Sequence, residues 1–266
     1  MPAGTASSSA AATPIGSRRV LALAALALGL AGCGGPSSFA ARYDVGGYEL
    51  YLECRGSGSP VVILEAGLGG GHGSWHKVES KLARQTRTCA YDRAGIGDSD
   101  PRPVSPVSIA RPVHELHALL KYAGVHGPYV YVGHSIGGIY SLAYTRTYPR
   151  QVAGAVYVDA TDPASVGILP DGSGAVAFGG TSQPPQVRMG TRPAIYLAAN
   201  NSGAGYLQGV RNTRLVRAVG SSHMVQEDRP ALVIEAVREV VDAVRDGRPL
   251  PPCSKSRLPR VGGHCE

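Results

Sequence analysis

The chain has 266 residues, with 26 Lys and Arg against 19 Asp and Glu and a formal net charge of +7. That length supports one sizeable core and falls short of two. The basic residues are spread along the chain without interleaved aromatics, which argues against a nucleic-acid-binding surface.

The first elements read as processing signals rather than fold. Arg18 and Arg19 precede an Ala/Leu run, Val20 to Leu30, that is too short to span a bilayer as a helix. Leu30-Ala31-Gly32-Cys33 follows and is similar to the lipobox of bacterial lipoproteins, whose cysteine is lipidated and becomes the mature N-terminus. The expectation is a lipoprotein signal peptide over 1–32, lipidation at Cys33 and a small-residue tether over 33–41. The protein would then be exported and held at the bacterial cell envelope by its lipid. A plain secretory signal or an uncleaved anchor is the alternative. Four further cysteines, Cys54, Cys89, Cys253 and Cys265, are an even number and suit an oxidising compartment. No Cys-x-x-Cys or His-x₃-His spacing accompanies them, so no metal is expected.

The mature chain alternates strands and helices in the manner of a mostly parallel sheet covered by helices. Arg42–Val45 and Tyr48–Arg55 flank a Gly46-Gly47 turn. Val61–Leu64 is a continuous apolar run, as for a strand buried on both faces. A helix is expected over Ser74–Gln85 with Ser74 as N-cap, then a strand over Thr88–Tyr91. Val113–Ala123 has apolar residues at helical spacing. After the stretch 129–138 come a helix to Thr147 and a strand over Ala153–Val158. Residues 160–192 are rich in Gly, Pro and Ser and read as irregular. Pro193–Ala198 and Arg214–Val219 are the last two expected strands, and Pro230–Val244 is a long amphipathic helix with Asp228 as its candidate cap. The Gly67–Gly73 run fails the G-x-G-x-x-G template because position 72 is histidine, so no dinucleotide cofactor is expected.

Tyr129 to Gly138 reads Y-V-Y-V-G-H-S-I-G-G, an apolar β-branched run that passes through G-x-S-x-G into a helical pattern. Glycine on both flanks leaves room for a strand to turn sharply into a helix and lifts the central hydroxyl to a helix N-terminus. This strand–elbow–helix resembles the nucleophile elbow of the α/β-hydrolases, which makes Ser135 the expected nucleophile. The resemblance covers about residues 42–248 and leaves 249–266 as a C-terminal tail. It implies a sheet of about eight strands flanked by helices, with a short irregular lid insertion. It also implies that the second and fourth strands are neighbours, which favours Cys54–Cys89 and leaves Cys253–Cys265 to close the tail.

A serine hydroxyl needs a base within hydrogen-bond reach. His223 follows the last strand, where the resemblance puts the base, whereas His264 lies in the tail beside Cys265. His134, inside the elbow, is expected to pack against the sheet. Most relatives place the acid after the strand here at Pro193–Ala198, but this sequence has Asn200 and Asn201 there and no Asp or Glu from Gly172 to Gln226. Between Ser135 and His223 only Asp159, Asp162 and Asp171 carry a carboxylate. Asp159 ends a strand, a rigid place from which to orient an imidazole, and is the expected acid. Asp162 comes next, and an amide of Asn200 or Asn201 is the remaining possibility. The expected oxyanion donors are the backbone N–H groups of Ile136 and Leu68. The stretch Asp92-Arg93-Ala94-Gly95-Ile96-Gly97 also matches a family turn and is read as fixing the loop beside the site. The expected activity is hydrolysis of a small acyl substrate, an ester, thioester or amide, without a cofactor. A surface lipoprotein that kept the fold for binding and lost a working acid is the alternative. Nothing in the sequence fixes an oligomeric state.

Overall fold

The computed structural model describes residues 38–103, 109–162, 189–199 and 211–266. The expected signal peptide, Cys33, Asn200, Asn201 and most of the insertion after Asp159 lie outside these residues.

Nine strands among the described residues form one sheet. They are β1 (Phe39–Asp44), β2 (Glu49–Arg55), β3 (Val61–Glu65), β4 (Thr88–Tyr91), β5 (Tyr129–His134), β6 (Val152–Val158), β7 (Ala194–Ala199), β8 (Thr213–Ala218) and β9 (Gly263–Cys265). Their spatial order is β1-β2-β4-β3-β5-β6-β7-β8-β9. The run β4 to β8 is parallel, while β1–β2, β2–β4 and β8–β9 are antiparallel. The helices are α1 (His76–Leu82), α2 (Ala110–Tyr122), α3 (Ile136–Thr147), α4 (Val225–Asp228) and α5 (Pro230–Asp246).

The continuous apolar strands sit where burial on both faces demands them. Successive side chains alternate between faces. Val62, Leu64, Val130 and Val132 pack with Trp75, Val78 and Leu82 beside α1, and with Leu232, Val237 and Val240 of α5. Val61, Ile63, Tyr129 and Tyr131 point the other way, onto Leu116, Leu119 and Leu120 of α2 and Ile139 and Tyr144 of α3. Both sheet faces are therefore covered, which leaves the strand ends as the place for chemistry.

Four expectations need correction. The sheet has one strand more than expected, because Gly263–Cys265 of the tail pairs with Val216–Ala218. β1 begins at Phe39, inside the stretch assigned to the tether. Ser74 caps no helix: a 3₁₀ turn over His72–Trp75 comes first, and α1 starts after Trp75 without a side-chain cap. Asp228 does not cap α5 either, since its carboxylate is drawn to Ser222.

Candidate active site

β5 ends at His134, α3 starts at Ile136, and Ser135 between them has φ 53° and ψ −125°. A side chain at Gly133 would stand 2.6 Å from the Gly137 carbonyl oxygen, and one at Gly137 would stand 2.5 Å from that of Glu65. Only glycine fits at either position, which is why the turn can be this sharp. Ser135 is tied to the next crossover: its N–H donates to Val158 O at 3.2 Å, and its carbonyl accepts from Thr161 N–H at 3.0 Å. Its hydroxyl lies 3.5 Å from that of Thr161.

Asp159 follows β6 with φ 40°. Its N–H donates to Leu197 O at 2.7 Å, and its Oδ1 accepts the N–H of Ala199 at 2.8 Å. The carboxylate is thus held between the ends of β6 and β7. Its Oδ2 lies 2.6 Å from His223 Nδ1. The Asp159 side chain is 7% exposed and that of His223 is 54% exposed. A neutral imidazole that donates an Nδ1–H hydrogen bond to Asp159 keeps a lone pair on Nε2, as a general base must. The hydrogen bond from Ser135 Oγ to that nitrogen is not formed among the described contacts; apo sites often close such bonds only around substrate.

Two groups hold the His223 segment from behind. Asp228 Oδ2 accepts the N–H of Ser222 at 2.8 Å and also its hydroxyl. His134 Nε2 donates to the carbonyl of His223 at 3.0 Å, with the two rings 4.7 Å apart. Burial pushes the His134 imidazole down to about 4, so at neutral pH it carries one proton, the one on Nε2. His134, expected to pack against the sheet, is buried and also fixes the backbone of the proposed base.

The loop after β3 leans on Ser135. A side chain at Gly67 would stand 2.8 Å from His134 Nδ1 and 3.3 Å from Ser135 Cβ. Leu68, the next residue, has its side chain in solvent. Ile136 opens α3 directly after Ser135, where backbone N–H groups lack intrahelical partners. The 92–97 turn grips this loop: Asp92 Oδ1 accepts the His72 N–H at 2.7 Å, Asp92 Oδ2 accepts the Asp98 N–H at 2.9 Å, and Arg93 reaches the loop carbonyls. His72, Asp92 and Asp98 bring three possible metal ligands within 4.8 Å of one another. Asp92 already accepts two backbone N–H groups and also contacts the His72 ring, which is the bonding of a turn lock.

Cys54 and Cys89 face each other across β2 and β4 and are joined, as are Cys253 and Cys265. His264 lies in β9 opposite Arg217 and is exposed. Thr161 and the backbone role of His134 were not foreseen; the first follows from strand ends meeting in space, and the second joins residues 89 positions apart.

A sequence profile of the "alpha/beta hydrolase fold" family matches residues 60–182. A RutD protein of Azorhizobium caulinodans, described as a carbamate hydrolase, is 36% identical over 114 residues, which is 43% of this chain and 42% of that protein. The chain thus spans about two fifths of the length of such curated relatives. Among solved structures, a protein of Pseudomonas aeruginosa described as an epoxide hydrolase gives a TM-score of 0.65 at 16% identity, over 80% of this chain and 98% of that one. A thermophilic esterase of Thermogutta terrifontis gives 0.60 at 19% identity, over 79% and 99%. The fold is that of the α/β-hydrolases.

Proposed function

We propose that the chain is a serine hydrolase that cleaves carboxylic esters or related acyl compounds through an acyl-enzyme. His223 Nε2 takes the proton of Ser135, whose Oγ attacks the substrate carbonyl. Asp159 keeps the imidazole in the tautomer that can do this and stabilises the imidazolium that forms. The N–H groups of Ile136 and Leu68 receive the developing oxyanion. The leaving alcohol takes the proton from His223, and water repeats the sequence on the acyl-enzyme. The observation that supports this reading most is the 2.6 Å contact between His223 Nδ1 and an Asp159 carboxylate fixed by two strand ends, beside a serine at the elbow. An aspartate at the elbow would suit epoxide opening; a serine there suits acyl transfer.

The test is hydrolysis of p-nitrophenyl acetate by the wild type and by Ser135→Ala, with an aryl carbamate beside it because of the RutD likeness. Activity lost in Ser135→Ala supports the reading, and activity retained in that variant overturns it. We also propose that the protein is exported and anchored by lipid at Cys33, on the strength of the Leu30–Cys33 match.

A further inference from the structure

The loop that leans on Ser135 contains Gly67, Gly69, Gly70, Gly71 and Gly73. Such a segment is conformationally permissive, yet an oxyanion donor must be held still. One side chain does most of the holding. Arg93 Nη1 donates to Glu65 Oε1 at 2.6 Å and to the carbonyl of Ala66 at 2.7 Å. Its Nη2 donates to the carbonyl of Gly67 and, at 3.5 Å, to that of Gly70. Gly67 O also accepts the N–H of Gly70 at 3.2 Å, which closes the turn. The guanidinium is itself buried, and Glu65, fully buried, balances its charge while accepting the hydroxyls of Tyr91 and, at 3.1 Å, Tyr131.

A trans peptide unit points its C=O and its N–H in opposite directions. Fixing the Gly67 carbonyl on Arg93 therefore turns the Leu68 N–H away from the guanidinium, and fixing the Ala66 carbonyl does the same for the Gly67 N–H. The residue between these two peptide units, Gly67, faces Ser135. We propose that Arg93 is a positioning residue for the oxyanion: it aims the Leu68 N–H at the nucleophile by gripping the loop carbonyls from the opposite side. This rests on the serine-hydrolase reading above. Arginine suits the task because its planar fork presents several N–H groups in fixed directions, whereas lysine offers one compact charge. Arg93→Lys keeps a cation beside buried Glu65, which Arg93→Ala would leave unpaired.

The experiment compares the wild type, Ser135→Ala, Arg93→Lys and Arg93→Gln on p-nitrophenyl acetate. Sites are counted by fluorophosphonate labelling of Ser135 carried to completion, so that every rate is per competent site. Phenylboronic acid, which becomes tetrahedral on the serine oxygen, is the second probe. The expected result for Arg93→Lys is a kcat per site lower by about 100-fold, KM within about threefold, and boronate affinity weakened in step with kcat. A purely structural role gives fewer titratable sites or a lower Tm with kcat per site and boronate affinity unchanged, and that overturns the proposal. So does a rise in KM at constant kcat. Arg93→Gln carries the test if the lysine variant yields no sites; no sites in both assigns Arg93 to folding alone and also overturns it. Wild-type activity that survives Ser135→Ala refutes the serine-hydrolase reading instead, and is told apart by the Ser135 control.

Discussion

His134 Nε2 donates to the backbone carbonyl of His223 at 3.0 Å, so the residue before the proposed nucleophile fixes the backbone of the proposed base. The elbow is not only a mount for Ser135. It sets the height of the base loop, and any change in its conformation reaches both partners together.

Nucleophile and base should behave as one unit. Ser135→Ala and His223→Ala are each expected to lower kcat by about 10⁴-fold or more, and the double variant to be little worse than either. Ester hydrolysis by the three purified proteins checks this; strictly multiplicative losses would mean that the two side chains act independently.

Asp159→Asn should fold normally and lose about 10⁴-fold in kcat, because an amide facing Nδ1 permits the wrong tautomer. Asp162, exposed two residues beyond the proposed acid's neighbour Ala160, should tolerate the same change within about threefold. The comparison of kcat/KM for the two variants decides between them, and near-wild-type turnover in Asp159→Asn removes the triad.

The buried His134 gives stability a pH dependence of definite sign. Its folded pKa, pushed by burial to about 4, lies below the unfolded value of about 6.5. Between those values the unfolded chain binds the proton and the folded chain does not, so stability falls as pH drops from about 6.5 towards 4. The full effect is on the order of 3 kcal/mol. Glu79 works in the opposite direction: burial raises it to about 7, so its contribution is lost as pH rises from about 4.5 through 7. Denaturant midpoints across this range for the wild type, His134→Gln and Glu79→Gln separate the two. His134→Gln should flatten the acid-side loss, and an unchanged slope would assign that loss to other groups.

The disulfides should contribute unequally. Cys54–Cys89 closes a sequence separation of 35 and Cys253–Cys265 one of 12. Loop-closure entropy then predicts losses of about 4 and about 3 kcal/mol respectively for the paired Cys→Ala variants. Urea unfolding of the two double variants measures both, and a larger loss at the tail would show that the tail's own packing is being lost with the bond.

Cys33→Ala should move the protein from the membrane fraction to the soluble one, and mass spectrometry of the wild type should find a lipid-modified N-terminal cysteine. An unmodified Cys33 within a longer chain refutes the anchoring proposal.

The parts of this molecule that could be read from sequence are those fixed by local sterics or by chain order. Gly133 and Gly137 mark the elbow because no other residue fits beside Gly137 O and Glu65 O. The unbroken apolar run of Val61 to Leu64 pointed to a strand with two buried faces, since both faces meet apolar helices. Asp159 became the proposed acid by its place at a strand end, since no Asp or Glu occurs from Gly172 to Gln226. What could not be read depends on partners far apart in the chain. The Arg93 grip on Ala66 and Gly67, and the His134 bond to His223, leave no trace in spacing or hydropathy. Ser74 and Asp228 show the converse, since each has a capping sequence and Asp228 is drawn to Ser222 instead. The tail hid its strand for a similar reason: Gly263-His264-Cys265 has no strand pattern of its own and pairs because β8 presents a template.

That short strand changes what the sheet offers to other molecules. A long outer strand with free N–H and C=O groups invites another chain to add to it. Here β9 lies over Val216–Ala218, and the Glu266 N–H extends the pairing to Leu215 O at 3.0 Å. The new rim is only three residues long, carries exposed His264 beside an Arg217–Glu266 ion pair, and is stapled by Cys253–Cys265. Beneath it, β8 turns its Val216–Ala218 stretch to this rim and buries alternate positions. The outermost strand at this end of the sheet is thus a short one that a disulfide ties down.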